Sequence, residues 1–476
     1  MVFSSITFIF YFLPVFLLGY FFTRYRNAFL LLISLFFYAW GEVGYVFLIL
    51  GSSIVNYGFG RWIAASRDGQ KKRFLFAGIF LNLLVICGFK YLTFLTTTLN
   101  ALTGMIGFTG MPVYSIHLPL GISFFTFQAM SYLVDVYRGD APVEKNPFNL
   151  MLYIAMFPQL VAGPIVRFQS IYAKIHKRVV TLDAFVEGIG YFIIGLGQKV
   201  LIANTVASTA DKIFALPMIQ LDQPLAWLGA VTYTLQIYYD FAGYSNMAIG
   251  LGLMVGFRFP ENFNFPYVSR SITEFWRRWH MTLSRWFRDY LYIPLGGNQR
   301  GAARTYFNLF VVFFLCGLWH GASWTFVAWG VYHGCFLIVE RMGLSRILGR
   351  MPRGLTHLYA MLVVVFGWVL FRAESFSQAG IFMQRMVGMG APSQHQFTLE
   401  YYLQTDVLLA LFMGVVFSLP IKELIPFFRF GTAGECHRAF FLLRSLCMVT
   451  FQAFLLFFSI MSLSSGSYNP FIYFRF

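Results

Sequence analysis

The segment FVVFFLCGLWHGASWTFVAWGVYHG, residues 310–334, decides the fold class. It belongs to a stretch that contains no Lys, Arg, Asp or Glu between Arg304 and Glu340. Such apolar runs, at about 20 residues each, are long enough to cross a lipid bilayer. The segment nevertheless holds two histidines, His320 and His333. An ionisable side chain inside a membrane needs a partner or a function, so this segment predicts membrane helices that carry a functional polar residue.

The composition of the whole chain indicates a membrane protein. Of 476 residues, 58% are hydrophobic and 11% are charged, with a mean hydropathy of +0.66, whereas a soluble domain has about 25% charged residues. The net charge of +16 comes from short basic loops between apolar runs, as the positive-inside rule predicts. No RNA-binding signature or long basic tail is present, so no nucleic-acid partner is expected.

The hydropathy pattern predicts an all-α polytopic membrane protein with about 11–12 transmembrane helices in one domain, residues 1–476. The first apolar run lacks the basic start and cleavage site of a signal peptide, so we expect it to be retained as a span. The basic loops place the N-terminus outside and the loops near 96–118, 206–224 and 373–403 on the outer face. The predicted spans are 4–22, 28–41, 44–60, 74–95, 119–137, 184–204, 226–255, 305–321, 324–339, 356–372, 405–420 and 440–463.

Two segments do not read as simple spans. Residues 148–168 are apolar but broken by Pro158, Gly163 and Pro164, which predicts a re-entrant element buried in protein or lining a cavity. Within 260–297, Ser271 and Glu274 have capping-box spacing and predict one amphipathic interfacial helix with its tryptophans at headgroup depth. Its aromatic face would contain Phe275, Trp276, Trp279, Leu283, Trp286, Phe287 and Tyr290, with His280 at its edge. Its opposite face would contain Arg277, Arg278, Arg285, Arg288 and Asp289.

His320 is the strongest candidate for chemistry because a histidine titrates near neutral pH and suits general-base catalysis. We predict that His333 is a packing residue. The two histidines could share a site only if the chain turned at Gly321–Ser323, since the straight helix between them would measure about 20 Å. The five cysteines show no zinc-site spacing, and no HExxH, GxSxG, phosphate-loop or GxGxxG motif occurs. No metal and no resident cofactor are therefore expected.

Two further groups of residues allow functional and structural interpretations. The arginines of the amphipathic segment, Arg277 and Arg278 among them, suit either a polar interfacial face or the phosphates of a nucleotide-bearing acyl donor. Asp240 lies in an apolar run among tyrosines and could orient a partner or stabilise packing. Taken alone, these features fit acyl transfer and also fit transport.

Longer motifs carry a family resemblance. The stretches ENFNFPYVSRSITEFWRRWHMTLSRWFRDYLYIPLGGNQRG (261–301) and GLWHGASWTFVAWGVYHG (317–334) resemble the signature region of the membrane-bound O-acyltransferase (MBOAT) family. The stretches at 121–140, 157–168 and 236–259 extend the resemblance, so that the signature region covers about 121–334. The N-terminal sequence MVFSSITFIFYFLP is similar to the branch of the family that contains the alginate O-acetyltransferases.

The resemblance implies a ring of helices around a central tunnel, in a bacterial inner membrane, with funnels from both sides meeting near a catalytic histidine. His320 matches that histidine, and His280 matches a second family position that would orient the donor or stabilise the oxyanion. Arg277, Arg278, Trp319 and Asp240 are the donor-binding candidates.

The expected donor substrate is acetyl-CoA. The expected partners are membrane lipids, periplasmic acetyltransferases and, indirectly, an exopolysaccharide such as alginate. Cellulose or peptidoglycan as acceptors, an acetyl-histidine intermediate, and a transporter or scaffold of an export complex are the alternatives.

Overall fold

A computed structural model describes residues 1–107, 110–114, 116–161, 163–390, 398–421, 437–466 and 468–471, and the side chains of the last helix from residue 443 onward. The predicted outer loops 96–118 and 373–403 fall partly outside these ranges. Within them the chain is all-α, without a β-strand. The first eleven helices are α1 (Leu13–Phe22), α2 (Arg26–Ala39), α3 (Val46–Ala65), α4 (Asp68–Ile86), α5 (Leu92–Gly104), α6 (Ile122–Arg138), α7 (Pro147–Ala155), α8 (Phe157–Leu160), α9 (Phe168–His176), α10 (Leu182–Gly197) and α11 (Asn204–Phe214). The remaining helices are α12 (Gln223–Met254), α13 (Ile272–Arg278), α14 (Met281–Phe287), α15 (Gly301–His320), α16 (Trp324–Val339), α17 (Ser345–Leu348), α18 (Arg353–Arg372), α19 (Phe376–Met386), α20 (Leu399–Tyr402), α21 (Thr405–Phe417) and α22 (His437–Ser464).

The multi-pass prediction is confirmed, since each predicted span coincides with a helix. Six helices among the described residues are long and apolar enough to cross a bilayer, and three shorter apolar helices accompany them. Two of the six are continuous through π-helical turns, Cys87–Tyr91 between α4 and α5 and Gln198–Ala203 between α10 and α11. The six are Val46–Ala65, Asp68–Gly104, Leu182–Phe214, Gly301–His320, Arg353–Arg372 and Leu443–Ser464, and the shorter three are Phe8–Phe22, Arg26–Ala39 and Thr405–Phe417.

Helix α12 forms the centre of the protein and is buried along nearly its whole length. It crosses α10 at two glycine pairs. A Cβ atom on Gly188 would lie 2.6 Å from the Gly250 carbonyl oxygen, and one on Gly195 would lie 2.5 Å from the Gly243 carbonyl oxygen. Small residues allow membrane helices to approach this closely and to gain dispersion contacts that lipid cannot supply. The glycines of the two helices therefore explain how α10 and α12 pack so closely.

The predicted break in 148–168 is confirmed. Helix α7 ends at Ala155, α8 is a single turn that begins at Phe157, and the chain is extended before α9 begins at Phe168. The described residues of this segment are almost all buried. Irregular backbone at membrane depth is tolerated only inside protein, so burial explains why these prolines and glycines are accommodated.

The prediction of one continuous amphipathic helix from Ser271 to Tyr290 is wrong. The N-cap is confirmed, because the Ser271 hydroxyl accepts a 3.0 Å hydrogen bond from the Glu274 backbone N–H. The helix then ends at Arg278, and His280 takes a left-handed conformation with φ of 41° before α14 begins. Hydrogen bonds to Asn262, described below, hold this break in place.

The predicted headgroup position of the tryptophans is also wrong. Trp276 contacts Trp329 of α16 with ring centroids 5.7 Å apart, and Trp279 contacts Trp368 of α18 at 4.8 Å. Both side chains lie in the protein core. Neighbouring helices cover the aromatic face, so the segment is an internal element rather than a surface helix.

Candidate functional site

The two histidines of the opening segment lie on the two arms of a helical hairpin. Helix α15 ends at His320, and α16 begins at Trp324 with the Ser323 side chain capping its first turn. A Cβ on Gly317 would lie 2.4 Å from the Phe326 carbonyl oxygen, which shows how closely the arms approach. The predicted turn at 321–323 is therefore confirmed, and His320 occupies the end of a helix rather than its middle.

The His320 side chain is 6% exposed and surrounded by aromatic rings. Its ring centroid lies 4.8 Å from that of Trp319, 5.0 Å from that of Trp329 and 5.3 Å from that of Phe371. Its Nε2 atom has no hydrogen-bond partner among the described residues. Buried polar atoms normally have partners, so this nitrogen is available to a bound substrate.

A cavity of about 280 Å³ is lined by His320 and Trp319 at one end. Glu42 and His117 also line it, and the His117 Nε2 atom lies 3.1 Å from a Glu42 carboxylate oxygen. Since His117 is itself exposed, this pair marks the end of the cavity that opens to the surface. A second cavity of about 350 Å³, near Asn204 and Lys212, contains none of the predicted site residues.

Lys90 is a site residue that the sequence reasoning missed. Its Nζ atom donates to the carbonyl oxygens of Trp319 at 2.5 Å and His320 at 3.4 Å, and the Tyr91 hydroxyl donates to that of Leu318 at 2.6 Å. The last carbonyls of a helix lack intrahelical partners, and a cation is favourable at that end. Lys90 thus fixes the end of α15 that bears His320 while lining the same cavity.

A signal for Lys90 was present in the sequence. It is the only Lys, Arg, Asp or Glu between Arg73 and Asp135. An ionisable residue isolated in an apolar run is a functional candidate by the same argument that selected His320.

His280 is fully buried, and its orientation is set by Asn262. The His280 Nδ1 atom lies 2.9 Å from Asn262 Oδ1, which also accepts a 2.9 Å hydrogen bond from the Thr282 hydroxyl. The Asn262 amide nitrogen donates to the Ser245 hydroxyl at 3.0 Å. An oxygen acceptor at this position places the imidazole proton on Nδ1, which leaves Nε2 to accept a hydrogen bond.

The structure brings the two candidate histidines to the same aromatic layer. The Trp319 ring contacts both, with centroids 6.0 Å from His280 and 4.8 Å from His320. Trp319, one of the donor-binding candidates, therefore lies between the two candidate histidines. Neutral His280 with its acceptor nitrogen suits orientation of an N–H or O–H group better than stabilisation of an oxyanion.

The other donor-binding candidates lie apart from this layer. Arg277 is exposed, and Arg278 pairs with Glu274 at 3.0 Å and donates to the Asn264 carbonyl oxygen at 3.1 Å. Asp240 is buried in an ion pair with Lys199 at 2.8 Å. This pair links α12 to the π-helical turn between α10 and α11, as the packing interpretation of Asp240 predicted.

Comparison with known proteins identifies the family of the chain. Residues 141–379 match the model of "MBOAT, membrane-bound O-acyltransferase family". A Pseudomonas aeruginosa protein named "Probable alginate O-acetylase AlgI" is 47% identical over 82% of this chain and 75% of its own length. One with the same name from Pseudomonas putida is 41% identical over the whole of both chains. A peptidoglycan O-acetyltransferase of Helicobacter pylori is 37% identical over 83% of this chain and 81% of its own. The chain therefore belongs to the membrane-bound O-acyltransferase family and is an acyltransferase of the multi-pass membrane type.

Proposed function

We propose that the chain takes acetyl from acetyl-CoA on the cytoplasmic side and passes it across a bacterial inner membrane for O-acetylation of an exopolysaccharide, alginate. The observation that carries this proposal is the unpartnered Nε2 atom of His320, a residue that lines a cavity reaching the exposed His117. The names of the relatives support the chemistry, and their alginate-named members support the polymer. In this arrangement periplasmic acetyltransferases receive the acetyl group and deliver it to the polysaccharide.

The mechanism assigns general-base catalysis to His320. Its Nε2 atom removes the proton of an acceptor hydroxyl while the hydroxyl oxygen attacks the thioester carbonyl carbon. The carbon–sulfur bond then breaks and the CoA thiolate leaves, while the imidazole of His320 keeps the proton. Lys90 holds the helix end that carries the base, and His280 orients the donor through Nε2. Arg277, Arg278, Trp319 and Asp240 remain proposed donor-binding residues, with Trp319 best placed for the acetyl end.

Acetylation of His320 followed by transfer to the acceptor is the alternative mechanism with the same residue. It requires attack of Nε2 on the thioester carbonyl, release of CoA thiolate, and attack of the acceptor on the acetyl-imidazole. Rapid quenching after mixing with labelled acetyl-CoA, without acceptor, separates the two. Label on His320 supports the covalent path, and label recovered only as acetyl-CoA supports direct attack.

The experiment that tests the proposed function measures transfer of labelled acetyl from acetyl-CoA by the purified protein in lipid nanodiscs. The acceptors are alginate oligosaccharide and peptidoglycan fragments, each with and without a candidate periplasmic acetyltransferase partner. His320→Ala is compared with His333→Gln, a change at a buried histidine that lies outside the cavity. Transfer to alginate lost only in the folded His320 variant supports the proposal. Transfer to peptidoglycan alone would contradict alginate as the acceptor and favour the acceptor named for the Helicobacter relative. Unimpaired transfer by the His320 variant would contradict the mechanism.

A further inference from the structure

Three arginines contact one residue, Asp289, two of them through its carboxylate and one through its backbone carbonyl. Arg167 Nη2 lies 2.6 Å from Asp289 Oδ2, and Arg288 Nε lies 2.6 Å from Asp289 Oδ1. Arg138 Nη2 donates to the Asp289 backbone carbonyl oxygen at 3.0 Å. We refer to Arg138, Arg167, Arg288 and Asp289 as the Asp289 arginine cluster. Residues 138–145 and 258–304 are basic loops, which the positive-inside rule predicts on the cytoplasmic face, so the cluster is predicted to lie on that face.

The cluster carries more positive charge than its own acids neutralise. Burial raises the pKa of the Asp289 carboxyl, but hydrogen bonds and attraction to Arg288 and Arg167 outweigh burial and hold that pKa below its usual range. The other nearby buried acid, Asp135, accepts a 2.6 Å hydrogen bond from the Tyr290 hydroxyl. The exposed Asp140 adds a further negative charge beside Asp135. Each guanidinium has five N–H donors, so these carboxylates leave donors for another anion.

The side chains of the cluster differ in their exposure to solvent. The Arg167 side chain is 21% exposed and Asp289 is 16% exposed, whereas Arg288 is 59% exposed. Arg138 and Arg167 both lie over the Tyr290 ring, 5.6 Å from its centroid. Stacking and ion pairing hold the guanidiniums in place before any ligand arrives, which lowers the entropy cost of binding.

A continuous line of rings joins the cluster to the candidate catalytic histidine. The Tyr290 centroid lies 5.3 Å from that of Trp286, and Trp286 stacks on Phe127 at 3.8 Å. Phe127 lies 5.6 Å from Trp319, which contacts His320 at 4.8 Å. The Trp286 indole N–H also donates to the Phe127 carbonyl oxygen at 3.1 Å. The cluster and His320 are thus the two ends of one rigid aromatic element.

We propose that the Asp289 arginine cluster binds the phosphate groups of the acetyl-CoA donor. Arginine forks match phosphate oxygens and bind them bidentately. Coenzyme A carries its phosphates at the end remote from the thioester, so a phosphate site separated from His320 by the aromatic line suits its shape. The inference rests on the proposed function, which makes acetyl-CoA the donor. It adds a second basic site to Arg277 and Arg278, of which Arg278 is already occupied by Glu274 and a backbone carbonyl.

The phosphate of an anionic lipid headgroup offers the same chemistry at the same face. The two sources differ in one respect: only the donor's phosphates are covalently linked to the reacting thioester. A donor without phosphates therefore distinguishes the two sources, because its KM cannot depend on a site that binds donor phosphate.

The test compares Arg167→Gln and Arg288→Gln with wild type in nanodiscs of neutral lipid, using acetyl-CoA and the phosphate-free thioester S-acetyl-N-acetylcysteamine. For acetyl-CoA we expect KM to rise about tenfold in each variant with kcat unchanged, because one charge-assisted contact is lost. For the phosphate-free donor we expect no change. The matched control is Arg258→Gln, since Arg258 is an exposed arginine on the same predicted face that pairs with Glu187 at 2.7 Å and lies outside the cluster.

Other outcomes overturn the inference in distinguishable ways. An equal effect on both donors would show a structural role for the arginines. An unchanged KM for acetyl-CoA would move the phosphate site elsewhere. A dependence of wild-type activity on phosphatidylglycerol that both variants lose, with KM for acetyl-CoA unaltered, would assign the cluster to lipid. A binding titration that compares CoA with phosphate-free pantetheine keeps the test independent of turnover. We expect wild type to bind CoA more tightly than pantetheine and the variants to lose this preference. If that result came with no acetyl transfer, it would reject the proposed function alone and leave the phosphate site in place.

Discussion

His320 and His333 are both buried histidines, on opposite arms of one hairpin, and both contact Trp329, with ring centroids 5.0 Å and 5.2 Å away. In both rings the Nε2 atom makes no hydrogen bond to a described residue. The difference is access. His320 lines the cavity, whereas His333 is enclosed by rings and faces Gly367, on which a Cβ would lie 2.7 Å from its Nε2 atom. Burial alone therefore does not distinguish the two histidines, whereas access to the cavity does, and it is the reason why we propose His320 and not His333 as the catalytic base.

The largest effect is expected for His320, the histidine that lines the cavity. We expect His320→Ala to lower kcat for acetyl transfer by about 10²- to 10⁴-fold, because the general base is lost. The unfolding midpoint in detergent should change little, since the ring fills space at a cavity wall rather than a closed core. A variant that folds normally and keeps a tenth of wild-type activity would remove His320 from the mechanism.

The next effect concerns what holds His320 in place. We expect Lys90→Met to lower kcat by about 10- to 100-fold, the value of a lost charge-assisted hydrogen bond at a helix end. Methionine keeps the length of the side chain, so packing is largely preserved. Steady-state kinetics with saturating acetyl-CoA measure the effect. Wild-type kcat in this variant would show that α15 positions His320 without the ammonium group.

His280 provides a test in which backbone and side chain can be separated. Asparagine tolerates the left-handed conformation that His280 adopts, whereas alanine is strained there by about 1–2 kcal/mol. We expect His280→Asn and His280→Ala to lose activity similarly, about tenfold, through loss of the imidazole. Only the alanine variant should also lower the free energy of unfolding. If asparagine restored full activity, the backbone turn rather than the ring would be the functional feature.

The smallest effect is expected at the enclosed histidine. His333→Gln should leave acetyl transfer within about twofold of wild type and lower the free energy of unfolding by about 1 kcal/mol, typical of an imperfect core replacement. Thermal unfolding and the transfer assay on the same preparation measure both quantities. A loss of transfer comparable with that of His320→Ala would show that access to the cavity is not what distinguishes the two residues.

The sequence predicted the features that depend on local composition. Hydropathy located the helices, and the Gly321–Ser323 turn followed from a polar, glycine-containing interruption between two apolar runs. The break at His280 could not be predicted in this way, because the aromatic period continues across it. It is fixed by Asn262, whose backbone and side-chain oxygens accept hydrogen bonds from the Met281 N–H at 2.8 Å and the Thr282 hydroxyl at 2.9 Å.

The site itself was predicted in part. His320, His280 and Trp319 come from the motifs and do lie in one layer. Lys90 stands out locally as an isolated charge in an apolar run, but its contact with the end of α15 joins segments far apart in the chain. The Asp289 arginine cluster depends on distant pairings of the same kind, which no local pattern reports. The aromatic face was predicted correctly, but its position against the lipid headgroups was wrong. An amphipathic period shows that a face is covered and does not show whether lipid or neighbouring tryptophans, here those of α16 and α18, cover it.

The contact between Lys90 and the Trp319 carbonyl joins residues 229 positions apart. During synthesis the span that carries Lys90 enters the membrane long before α15 exists, and a charged side chain at membrane depth is costly while it lacks a partner. The early span must therefore keep its ammonium near water, or neutral, until the hairpin arrives. Completion of the catalytic centre and stable burial of Lys90 are then a single late step in biogenesis, and a chain truncated before α15 retains an incompletely buried first half that membrane quality control can recognise.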